Sequence, residues 1–237
     1  MTGSPKITAY KAAVGIRYQA NFKLEDVLGA VVQDLVKGGK SPFAGGYFEN
    51  VLTENATRQK LLKRKSNESY LSLTPTDLIF ENFFEKDAES EFEWMLKDVV
   101  PYLVDKVLRQ NGVGEILRVG IIFGYKADLS VTCNQLISEF TQARISTSEN
   151  FMFRFSKKLP VDMAWVKKGV DDFKNLIVTV QKREAPATHL VDFDIQQYFR
   201  PQLDHLEDFD FVQFFRAAKT DLLSDYQPLL DAERLVA

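Results

Sequence analysis

Residues Val14–Val27 read VGIRYQANFKLEDV, and 105 residues later Val119–Thr132 read VGIIFGYKADLSVT. In the first copy Val14, Ile16 and Tyr18 alternate with Gly15, Arg17 and Gln19. Side chains on a strand point to opposite faces at successive residues, so this period of two predicts a strand over roughly Ile7–Gln19. Leu24, Val27, Leu28, Val31, Val32 and Leu35 follow at the three-four spacing of one helical stripe, predicting a helix over about Leu24–Val36. The second copy repeats the order. A strand is expected over Ile116–Tyr125 and a helix over about Leu129–Phe140. The offset carries Leu24, Leu28, Val31, Val32 and Leu35 onto Leu129, Cys133, Leu136, Ile137 and Phe140, all apolar.

Working outward, KGGKSPFAGGYFEN from Lys37 ends the first helix, since paired glycines and a proline do not continue one cheaply. Three strands are expected near Thr57–Lys65, Ser69–Leu73 and Asp77–Phe84, with turn residues between them. A long helix follows. Ser90 and Glu93 have capping-box spacing, and Phe92, Met95, Leu96, Val99, Leu103 and Val107 form its apolar stripe. Pro101 should kink it, because its nitrogen has no proton for the carbonyl of Lys97, and Asn111-Gly112 supplies the stop. The second half offers strands near Phe151–Phe155, Asn175–Arg183 and His189–Tyr198. Its last helix, about Asp208–Tyr226, carries Phe211, Phe214, Phe215, Ala218 and Leu222 on one stripe.

The expected fold is therefore α+β: two pseudo-repeated strand-helix-three-strand-helix halves, residues 1–112 and 113–237, in one compact unit. The sheet is expected to be mostly antiparallel, with helices packed on one face. A half with one apolar face is marginal alone, and two halves can bury each other's. The repeated strands belong either to one continuous sheet or to two facing sheets.

Bulk composition excludes several classes. The 237 residues carry a net charge of −3, so no global field draws the chain to nucleic acid or anionic lipid. Cys133 is the only cysteine, which precludes an intramolecular disulfide and suits a reducing compartment. The opening MTGSPKITAY has no apolar run of the signal-peptide kind, and no segment nears the ~20 apolar residues of a membrane span. A cytoplasmic protein without membrane contact is expected.

Candidate chemistry is sparse. Gly39-Lys40-Ser41 ends like a phosphate loop, yet Asp34 stands where the first glycine belongs and the stretch follows a helix. Gly112 and Gly114 read as a helix stop. Asp192 and Asp194 in HLVDFDI share one face of a strand, opposite Val191, Phe193 and Ile195. Two such carboxylates suit a divalent cation or acid–base work, although such a pair more often lines the solvated face of a half-buried strand. His189 falls on the apolar side by parity, and His205 in a loop before the last helix. Cys133 lies on a buried stripe, where a nucleophile would not be placed. No cofactor is expected. Arg58, Lys60, Lys63, Arg64 and Lys65 in TRQKLLKRK fall on both faces of a strand, the pattern of a charged edge that resists aggregation. As a phosphate-contacting patch they would need a second basic element, for which Lys157, Lys158, Lys167, Lys168, Lys182 and Arg183 are available. The 19 phenylalanines fill a core or line a cavity between the halves.

The early VGIRY, the central LRVGIIFGY and the late LVDFDI before a terminal helix resemble a sporadically distributed family of uncharacterised bacterial proteins. Arg118, Gly120 and Tyr125 echo that family's central strand. Its second arginine is replaced by Ile122 or shifted, and its asparagine is missing. The resemblance implies a bacterial, cytosolic accessory or defence-island protein without an established activity. Three functions follow as expectations. The first is a non-catalytic binding or scaffold protein acting through its inter-half interface or self-association, with a protein partner or a second copy. The second is a nucleic-acid module using the basic 57–65 edge. The third is a metal-dependent or small-molecule enzyme at Asp192 and Asp194.

Overall fold

The computed structural model describes residues 7–43, 46–53, 60–64, 66–127, 131–141, 148–159, 172–184 and 187–230, with backbone alone for 50–53, 60, 140 and 221–230. Nine strands form one sheet: β1 (Ile7–Tyr18), β2 (Phe48–Thr53), β3 (Lys60–Arg64), β4 (Tyr70–Leu73), β5 (Asp77–Phe83), β6 (Ile116–Ala127), β7 (Asn150–Leu159), β8 (Phe173–Glu184) and β9 (Ala187–Leu203). Their spatial order is β2-β3-β4-β5-β1-β6-β9-β8-β7, and every neighbouring pair is antiparallel. The α+β expectation and its antiparallel sheet hold, and of the two arrangements left open the continuous sheet is the observed one. The strands of the echoed stretches, β1 and β6, pair with each other near the centre of that sheet.

Helix α1 (Phe22–Lys37) starts where Asn21 accepts the Leu24 amide at 2.7 Å, and it buries Leu24, Leu28, Val31, Val32 and Leu35. The long helix begins at α2 (Ala88–Trp94). Its cap is Asp87, whose carboxylate accepts from the Ser90 amide at 2.8 Å. That corrects the Ser90–Glu93 capping box: Glu93 instead pairs with Lys97 and Arg216 across the helix surface. Pro101 sits in α3 (Val100–Tyr102) between two wide-turned π segments, Met95–Val99 and Leu103–Leu108. The missing imide proton is thus absorbed by loosening the ladder on both sides. Gly112 closes the helix at φ +75°, a left-handed conformation that glycine adopts without penalty. Helix α4 (Cys133–Thr141) begins later than expected, and Leu129 lies outside the described residues. Helix α5 (Phe211–Leu230) buries Phe211, Phe214, Phe215 and Ala218. Among the described residues no helix is long and apolar enough to cross a membrane.

Two strand expectations need correction. The first half has four strands after its helix, not three, because β2 occupies the end of the stretch read as a helix terminator. Its consequence is that β3 is not an edge: it is paired with β2 on one side and β4 on the other. Edge protection therefore does not explain its basic residues.

Even-numbered positions of β1 after Lys11, together with Leu78, Phe80, Val119, Ile121, Phe123, Val191, Phe193, Ile195, Leu176, Val178 and Val180, point to the helix side and join the helix stripes in one core. The opposite face of the sheet carries Arg17, Glu81, Arg118, Asp192, Gln196 and Met152, the last 64% exposed.

Candidate functional site

The register lays the face opposite the helices out in rows across the strands. One row runs Asp77–Arg17–Arg118–Tyr198–Phe173 from β5 to β8. The next runs Ile79–Gly15–Gly120–Gln196–Asn175. A third places Ala13 beside Ile122 and Asp194. Since Gly15 and Gly120 face each other and neither has a side chain, the middle of this face is bare backbone. The result is a groove of about 170 Å³, with the glycine pair as floor, Arg17 and Arg118 at one end, Ala13, Ile79 and Ile122 as apolar walls, and Asp194 and Gln196 alongside.

Each polar group there has a defined setting. Arg17 is half exposed and approaches Asp77 only through Nε, at 3.9 Å. Arg118 donates from Nη1 to the Tyr198 hydroxyl at 3.3 Å and stands 5.7 Å from that ring's centre. Tyr198 donates to Gln196 Oε1 at 2.6 Å, and Gln196 Nε2 donates to Asp194 Oδ2 at 2.6 Å. On its other side Tyr198 stacks on Phe173, centroids 4.5 Å apart and planes within 6°, and Lys158 and Arg200 flank Phe173. Among the described residues Arg118 has no carboxylate within ion-pair distance, and it faces Arg17 directly. Like charges opposite one another on a sheet are destabilising.

Burial holds the Asp194 carboxyl above its ordinary value of 3.8, outweighing the hydrogen bond from Gln196 and the attraction of Arg118 and Arg154. A carboxyl raised in the folded state contributes its full stability below the unfolded value and loses it as pH rises through the folded one. Asp194→Asn keeps an acceptor for Gln196 and cannot ionise. It should therefore unfold at higher denaturant than wild type at pH 7, with the difference vanishing below pH 3.8. Equal midpoints at both pH values would contradict the burial.

Asp192 and Asp194 do share a face, but each has its own company. Asp192 accepts the Tyr10 hydroxyl at 3.0 Å and lies 3.4 Å from the Lys11 ammonium, which also reaches Glu81 at 3.5 Å. Tyr10 gets there by a bulge: β1 slips one residue against β6 between Ala9 and Lys11. Among the described residues no three His, Cys, Asp or Glu side chains cluster as metal ligands would. His189 is buried on the helix side, and His205 precedes a short 3₁₀ turn before α5.

The basic segment is dispersed. Lys63 pairs with Glu68 at 3.6 Å, and Arg64 with Glu85 at 2.8 Å while lying over the Tyr47 ring. Lys60 begins β3, and Arg58 and Lys65 lie outside the described residues. Of the second-half residues, Lys157 and Lys158 are on β7 at the far edge of the sheet, Lys182 is buried in β8, and Lys167 and Lys168 lie outside the described residues. β3 and β7 stand seven strand spacings apart, on the order of 30 Å. Cys133 is buried, its amide donating to Glu184 and its thiol pushed up to about 11 by burial. The phenylalanines mostly fill core. A small cavity of about 180 Å³ remains between the sheet and the helices, lined by Phe84, Phe92, Phe123 and Tyr125.

Sequence reasoning placed Gly15 and Arg17 on the polar face of their strand and noted Arg118 and Gly120, but gave no sign that the four meet. Tyr198 and Phe173 were missed.

No family model matches the chain, and no curated protein does. Among solved structures, "Methanococcus jannaschii TBP" is similar at 11% identity and a TM-score of 0.31, over 95% of this chain and 99% of that one.

Proposed function

We propose that this chain is a non-catalytic binding protein that takes its ligand on the sheet face opposite the helices, at the junction of two repeated halves. The observation that carries this is the glycine-floored groove with two arginines paired in register at one end. An unoccupied face could bring like charges together only at a cost to stability, and bound ligand offsets that cost.

Repetition is supported by the register. The 105-residue offset takes Gly15 to Gly120, and Gly15 pairs with Gly120. It takes Val14 to Val119 and Ile16 to Ile121, and Val14 pairs with Ile121 while Ile16 pairs with Val119. A residue facing its own equivalent, with neighbours exchanged, is the arrangement that a two-fold axis through the pair would give. The strand order agrees, since the last strand of each half, β5 or β9, flanks its first, β1 or β6.

A binding role fits the bacterial accessory setting that the sequence resemblance implies, and self-association through the same face is one form of it. The nucleic-acid reading of segment 57–65 has less behind it, because Lys63 and Arg64 are already matched by glutamates. The acid–base reading of Asp192 and Asp194 has the raised Asp194 in its favour, but Asp192 is tied to Tyr10 and Lys11.

The test is a fragment screen by amide NMR on ¹⁵N-labelled protein, beside Gly15→Leu, which fills the groove. A Cβ at Gly15 meets only Ile79, at 4.0 Å, so a side chain can start there without a clash, and an unchanged far-UV circular dichroism spectrum and cooperative melt are required of the variant. Shifts should cluster on Gly15, Arg17, Arg118 and Gly120 and disappear in Gly15→Leu. Hits that cluster elsewhere and survive the substitution would overturn the assignment.

A further inference from the structure

Resting on that site, we infer that the groove's ligand is a small organic oxyanion, its charged head between Arg17 and Arg118 and its apolar body over the glycine floor. Both guanidinium groups keep donors unused. Arg17 spends only Nε on Asp77, and Arg118 gives one bond to a neutral hydroxyl. Arginine presents a planar fork that matches carboxylate or phosphate oxygens, and two arginines at paired positions of adjacent strands, one reaching toward β5 and the other toward β9, have donors to spare for one head group between them.

Tyr198 holds Arg118 in place from one side, and the Phe173 stack holds Tyr198, so the second arginine is braced for a ligand and not left to wave in solvent. Charge polarity along the groove orients the ligand. The arginine row closes one end, while Gln196 and Asp194 lie two and four residues along β9 from Tyr198, and the Asp194 carboxylate repels a second anion. Ala13, Ile79 and Ile122 leave an apolar middle, with Ile79 38% exposed. The volume, about 170 Å³, is that of roughly six waters at about 30 Å³ each, which suits a short chain or a single small ring. A stacked base is disfavoured on the same evidence, because the faces of Tyr198 and Phe173 are taken by each other and by Arg118, Lys158 and Arg200.

The experiment titrates ¹⁵N-labelled protein with four probes of equal chain length: butyrate, butyl phosphate, butylammonium and 1-butanol. Butyrate and butyl phosphate should shift Gly15, Gly120 and the Arg17 and Arg118 Nε signals, the tighter of the two naming the head group. Butanol should bind at least tenfold more weakly, and butylammonium should leave these signals unmoved. Arg17→Met with Arg118→Met should abolish the preference for anions. The melting temperature should hold or rise, because the opposition of like charges is removed; a fall would show that the arginines are there for the fold. Groove shifts that do not depend on probe charge would overturn the oxyanion assignment and leave the binding site standing. No groove shifts with any probe, combined with a fragment screen that misses the groove, would overturn both. An oligonucleotide that binds more tightly than either anionic probe and is lost in the arginine variant would overturn the small ligand in favour of a polyanion.

Discussion

Phe43→Ala should destabilise the protein by about 3–5 kcal/mol, the range for removing a fully buried phenylalanine from a core that cannot collapse onto the space. At this chain length that lowers the melting temperature by on the order of 10 °C. Phe43 is completely buried and is the hub of an aromatic cluster, with ring centres 4.8 Å from Phe48, 5.3 Å from Tyr47, 5.4 Å from Phe80 and 6.2 Å from Trp94. Its amide donates to Ser41 Oγ, and that hydroxyl donates to the Leu35 carbonyl at 2.6 Å, tying the turn to the end of α1. The cluster joins β2, β5 and α2, so its loss should loosen the outer strands first. Phe22, 71% exposed, is the control: Phe22→Ala should change stability by no more than about 0.5 kcal/mol. Urea unfolding of both variants decides the matter, and a Phe43→Ala cost below 1 kcal/mol would mean the turn does not anchor that end of the sheet.

Two glycines on one face should respond to alanine with opposite signs. At Gly124 an added Cβ would lie 2.6 Å from Lys11 Cγ, 2.7 Å from Tyr10 Cε1 and 2.9 Å from Asp192 Oδ1. Those three side chains form one cluster with Glu81, so relief requires breaking its hydrogen bond and ion pairs as well as moving the ring. Gly124→Ala should cost about 1–3 kcal/mol, as overpacking does. At Gly15 there is ordinary space and no left-handed backbone, and alanine should stabilise the strand by about 0.5–1 kcal/mol through the lower chain entropy of its unfolded state. Paired unfolding curves check both. If Gly124→Ala proves neutral, the bulge at Tyr10 is free to relax and the cluster is not a fixed part of the face.

Both predictions fall where local pattern says little. SPFAGGYFEN reads as a terminator because proline and glycine dominate it, yet Phe43 reaches the core and Phe48 opens a strand. The terminator was correct for the helix and silent about what came next. β3 looked like an edge because its charges fall on both sides. Its pairing on both edges depends on β2, and no feature of β3 itself encodes that neighbour.

Alternation in VGIRY and in LVDFDI was sufficient to assign Gly15 and Arg17, or Asp192 and Asp194, to the polar side of their strands, and the helix stripes named their buried residues almost one for one. Those assignments follow from the pleat and the helical turn, which are properties of a few consecutive residues. That Gly15 lies against Gly120, that Arg17 faces Arg118, and that Tyr198 and Phe173 complete the row are matters of register between strands about a hundred residues apart. Register is set by the mutual burial of whole apolar faces, because a one-residue slip would turn each face outward. The sequence by itself therefore determined the two faces of each element, and only the tertiary structure decided which residues of the polar face meet to form a groove.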